Sequence, residues 1–117
     1  MQHDVTRLLE VTGVPFAVIA HLATGELVSV GDSRAVAGDD LFNSLFLDFE
    51  CVSALNRSLQ GQLLPRTWSQ GKVSCIVCKP EEDVIVGLFS LNERDPVAQY
   101  HWTKKLGNEV TAFWQGR

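Results

Sequence analysis

The segment Val84 to Leu91, VIVGLFSL, carries no charge, and its apolar residues fall on both faces of any strand it forms. Such a strand needs cover above and below, which places it inside a sheet with a layer on each side. Pro15 to Leu22, PFAVIAHL, is nearly continuous apolar and rich in β formers, so these two strands are expected as neighbours in the middle. Thr24-Gly25 makes a tight turn after the earlier run, and Glu26 to Val30, ELVSV, returns as the second arm of a hairpin with clearer alternation. Before the later run come LLPRTWS, Leu63 to Ser69, and KVSCIVC, Lys72 to Cys78, separated by the turn Gln70-Gly71. Pro80-Glu81-Glu82-Asp83 forms the next turn. These three strands form an antiparallel meander, and Pro65 with Arg66 marks its first strand as a sheet edge.

Three helices complete the pattern. Asp4 can cap a short one from Val5 to about Val11, whose Val5, Leu8 and Leu9 lie on the sheet, and Gly13 with Pro15 stops it. Asp95 as cap and Pro96 as first helical residue open a closing helix with an apolar face of Val97, Tyr100, Leu106, Val110 and Phe113 or Trp114. Between hairpin and meander, after the small polar loop Gly31 to Gly38, Asp39 to Gln60 is predicted as one long amphipathic helix. Asp39 or Asp40 caps it and Gly61 ends it. Its Leu41, Phe42, Leu45, Phe46, Phe49, Val52, Leu55 and Leu59 fill roughly half the circumference, more than the ~100° stripe needed to lie on one sheet. Either this helix is sunk deeply in its own domain or it also faces a second chain. Because Phe42, Phe46 and Phe49 exceed what one sheet face covers, they are candidate dimer-interface residues.

The order is α-β-β-α-β-β-β-α. It describes an α+β fold whose five-stranded antiparallel sheet has helices on both faces, with one domain over residues 1–117. A length of 117 residues buries a real core without staples, and 45% hydrophobic with 21% charged residues is ordinary for a globular protein. A net charge of −4, with no basic cluster beyond Lys104 and Lys105, argues against nucleic acid as a partner. No apolar run approaches the ~18 residues that span a bilayer, and the first ten residues lack a signal-peptide pattern. No membrane insertion and a cytoplasmic location are therefore expected.

Motifs for chemistry are absent from the pattern, so no catalytic, cofactor-binding or metal-binding set is assigned. Cys75 and Cys78 have redox or zinc spacing, but they lie in a strand, where positions i and i+3 point to opposite faces, and Cys51 stands apart. His3, His21 and His101 are scattered, and no phosphate loop or serine elbow occurs. The acidic turn lacks calcium-loop spacing. Trp68 is different, since a large aromatic on an edge strand has to be covered, by its own domain or by a second chain. Asn43, Glu50 and Arg57 repeat at seven-residue spacing and fall within about 40° of one another on the helix. This mixed stripe is either a solvated face or a reversible, salt-sensitive partner contact.

With this order, the chain resembles the roadblock family of dynein light-chain-like modules; longin and profilin-like sheets are close to the same pattern. The resemblance is carried by GVPFAVIAHLATGELVSVGD, Gly13 to Asp32, and by GKVSCIVCKPEEDVIVGLFSL, Gly71 to Leu91, within an order that spans the whole chain. One departure is the loop Gly31 to Gly38, where the family runs into the helix with less interruption, which bears on where the helix starts. The resemblance implies a non-enzymatic scaffold in signalling. It implies a homodimer with the middle helices side by side and the edge strands meeting, which puts the long helix and Leu63 to Ser69 at the interface, Trp68 included. It also implies a Ras-like small GTPase as the bound or regulated partner, for which the stripe Asn43, Glu50 and Arg57 is the candidate contact. The rival class is a small-molecule-binding sensor domain of a profilin-like or PAS/GAF-like α+β fold.

Overall fold

The computed structural model describes residues 6–32, 45–61, 65–70, 72–91 and 95–115. Phe16–His21 (β1) and Glu26–Gly31 (β2) form the hairpin. Arg66–Gln70 (β3), Val73–Glu81 (β4) and Val84–Leu91 (β5) form the meander. The strands are ordered β2-β1-β5-β4-β3, every pairing antiparallel. The two most apolar strands are thus neighbours, β5 holds the centre, and the proline-led strand lies at one edge, as the sequence predicts.

Helices cover both faces. Thr6–Thr12 (α1) and Pro96–Gln115 (α3) pack on one side over Ala17, Ile19, Ile76, Val86 and Leu88, while Phe49–Leu59 (α2) lies on the other over Phe16, Val18, Val77, Ile85 and Phe89. The helix ends follow local chemistry. Gly13 and Gly61 both adopt φ 75°, the left-handed conformation that lets a helix stop without a Cβ clash. Asp95 Oδ1 accepts from the Ala98 N–H at 2.9 Å, and Pro96 follows as the first helical residue. The expected cap of α1, Asp4, lies outside the described residues.

Three expectations are corrected. The turn expected at Pro80 to Asp83 shrinks to Glu82-Asp83, because β4 continues through Pro80 with one extra residue between Cys78 and Glu81. A bulge there tolerates proline, which offers no N–H to the ladder. In α3, Leu106, Val110 and Trp114 are buried, but Val97 and Tyr100 are 67% and 57% exposed, so the first two turns of α3 are not covered by the sheet.

The long middle helix is not continuous. Leu45 and Phe46 are helical, the chain bends at Leu47 and Asp48, and α2 begins at Phe49. Asp48 is the cap: its backbone is extended and its Oδ1 accepts from the Cys51 N–H at 3.0 Å. A short carboxylate that can satisfy a free backbone N–H favours a fresh helix start over a continued helix. The caps first expected, Asp39 and Asp40, lie outside the described residues, as do Leu41 and Phe42.

Candidate functional site

The surface that the sequence singles out comprises α2, the bend before it and the edge strand β3. Eleven residues of α2 turn Val52, Leu55 and Leu59 into the core, and Lys79 Nζ ties the helix to β4 by donating to Asn56 Oδ1 at 3.0 Å. Of the three phenylalanines expected to serve a dimer, each has a separate fate. Phe42 lies outside the described residues. Phe46 is fully buried within its own protomer: its ring sits edge-on to Phe89 at 5.9 Å and fills the space over Gly87, where an added Cβ would come within 2.5 Å of it. Its interface role is therefore corrected, because the bend at Leu47 turns Phe46 into the sheet instead of leaving it on the margin of a straight helix. A charge there would unfold the domain as surely as one at Leu45.

Phe49 remains available, 41% exposed beside the β1–β2 turn at Gly25. Leu47, which the long-helix reading passed over, is 58% exposed at the bend. The signal that could have found it is Asp48 itself, a capping residue next to an apolar one that then has no helical face to join. Trp68 lies half-buried against the core beneath α2, and the Arg66 guanidinium stands 5.0 Å from its ring centroid. Its own domain covers part of the ring. Among the described residues β3 pairs only with β4, through registers Arg66↔Val77 to Gln70↔Val73, which puts it at an edge of the sheet.

Of the polar stripe, Asn43 lies outside the described residues, whereas Glu50 and Arg57 are both exposed on the side of α2 turned away from Val52, Leu55 and Leu59. The small residues Ser53 and Ala54 lie between them, so the two charges flank a low surface.

Cys75 and Cys78 point to opposite faces of β4, one in each core. Burial raises the Cys75 thiol well above its ordinary value, with Cys78 adding to the effect, and pushes Cys78 up to about 12. Both are packed as neutral thiols, the opposite of a reactive thiolate. Among the described residues no group of His, Cys, Asp and Glu is placed to hold a metal ion, and no helix is long and apolar enough to cross a membrane.

Against solved structures the sheet order and both helical layers find counterparts. A Roadblock/LC7 domain from Streptomyces avermitilis superposes with a TM-score of 0.55 at 15% identity, over 97% of this chain and 99% of that one. The chain has the roadblock fold. Myxococcus xanthus MglB gives a TM-score of 0.56 at 17% identity over 95% of this chain and 91% of that one. MglB with tetrameric arrangement gives 0.54 at 13%, over 97% and 92%. No protein-family model and no curated protein matches the chain. The roadblock likeness therefore lies in backbone architecture.

Proposed function

We propose that this roadblock-like chain is a non-catalytic interaction module that works as a homodimer, joined through α2 and β3, and that its partner is a Ras-like small GTPase. The observation that carries the dimer is Phe49. A large aromatic stays 41% exposed on a helix whose other large apolar residues are sealed, with Leu47 exposed just before it. Exposed apolar groups grouped on one face mark association surfaces more often than isolated ones do. The edge position of β3 supports the same reading, because an edge strand is a template for another strand. One structure of similar fold is described with a tetrameric arrangement, so self-association occurs within this architecture.

The GTPase rests on the roadblock resemblance, with Glu50 and Arg57 as its contact. Both are exposed on the side of α2 turned away from its buried residues. Charges so placed steer encounter and select partners more than they add affinity. The test is a pull-down with Ras-like GTPases from the same genome. Glu50→Lys with Arg57→Glu should abolish capture while the mass in solution and the melting temperature stay unchanged. Normal capture by this double variant would place the contact elsewhere.

A further inference from the structure

Tyr100, expected in the core but found exposed, lines a cleft on the sheet face opposite α2. Helix α3 is seated on the chain entering β3 at Gly107, where an added Cβ would come within 2.8 Å of Pro65. One turn earlier, Thr103 Oγ1 still reaches Thr67 Oγ1 at 3.4 Å. Toward the start of α3 the gap opens to about 560 Å³ between Pro65, Pro96 and Tyr100. That volume is in the range of small-molecule sites, and so is the balance of mainly apolar walls with a few polar groups.

Lys104 lines the cleft with its ammonium 5.0 Å from the Tyr100 ring centroid, held over the aromatic wall. Of the Thr67 and Thr103 hydroxyls, one donates to the other, which leaves one proton for a ligand. Gln99, also in the lining, has Oε1 and Nε2 buried with no hydrogen-bond partner, so its carboxamide is unspent. Among the described residues no lining residue is acidic. One cation and a free carboxamide facing apolar walls, with no described carboxylate beside them, suit an anion attached to an apolar body better than an amine.

We propose that this cleft binds a small amphipathic carboxylate, its apolar body between Pro65, Pro96 and Tyr100 and its carboxylate on Lys104, with Gln99 and one threonine hydroxyl as further donors. The cleft lies on the sheet face opposite α2 and shares the edge strand β3, through Thr67, with the proposed dimer surface.

Phenylacetate is the probe, followed by amide NMR shifts of the labelled protein, with phenethylamine as its cationic counterpart. Saturable shifts are expected at Thr67, Gln99, Tyr100 and Thr103. Lys104→Gln should weaken binding about tenfold, the size of one charge-assisted hydrogen bond. Lys105→Gln should leave it unchanged, since Lys105 is outside the lining and 3.8 Å from Glu109. Both lysines are exposed, so the variants keep the fold, which a dispersed amide spectrum verifies. Absence of saturable shifts would overturn the proposal. Equal weakening by the two lysine variants, or binding of phenethylamine as tight as that of phenylacetate, would do the same.

Discussion

Gly87, in the middle of the central strand, has no side chain because the Phe46 ring occupies that space, and Phe46 in turn abuts Phe89, which meets Phe16 at 5.7 Å. Gly87→Ala should cost about 1–3 kcal/mol through overpacking, and Phe46→Ala about 3–5 kcal/mol through the cavity left behind. Urea denaturation measures both. The two neutral thiols give a second test at this scale. Cys75 and Cys78 should resist alkylation until the protein unfolds, while the part-exposed Cys51 labels in the native state. A thiol whose folded value lies above its unfolded one stabilises fully below the ordinary value of 9.0 and loses that contribution as pH climbs toward about 12. Stability should therefore decline over that alkaline window, and less so in Cys78→Ala. The inward turn of Phe46 is not legible in the sequence, since its position in the periodic pattern differs little from that of Phe49. Only the bend between them sends one ring into the sheet and leaves the other outside.

Helix ends and helix seats decide the elements. Asp48, fully exposed, has its carboxylate lowered from 3.8 chiefly by the hydrogen bond from the Cys51 backbone. Its capping contribution is present above that ordinary value and fades as pH falls below it. The acid limb of the melting-temperature profile should be shallower in Asp48→Ala, which should also melt lower at neutral pH. In α3, Gly107→Ala would gain helix propensity but drive a methyl into Pro65. The expected net result is a loss of about 1–3 kcal/mol, readable by thermal melting. A gain in stability would mean that α3 is not seated there. The strands were legible because a doubly covered strand has to be apolar throughout, as β1 and β5 are, and the hairpin followed from Thr24-Gly25. The bend before α2 had a signal in Asp48, which falls inside the apolar arc at seven-residue spacing from Leu41 and Leu55, but one polar residue among eight apolar ones did not outweigh the helical period. The exposure of Val97 and Tyr100 was hidden because periodicity marks a face without saying what lies opposite it.

At the scale of the whole molecule, the candidate site was legible as a region and not as a set of residues. The sequence pointed to the middle helix and the edge strand, and the structure leaves Phe49 and Leu47 exposed there and puts β3 at the sheet edge, while withdrawing Phe46. If the domain pairs through that region, its mass in solution should depend on Phe49 far more than its fold does. The most direct measurement is light scattering after size exclusion at micromolar concentration, on the wild type and on Phe49→Asp. A dimer through α2 and β3 predicts twice 12.9 kDa for the wild type and a folded species of 12.9 kDa for the variant. A wild type that runs at 12.9 kDa throughout would contradict it.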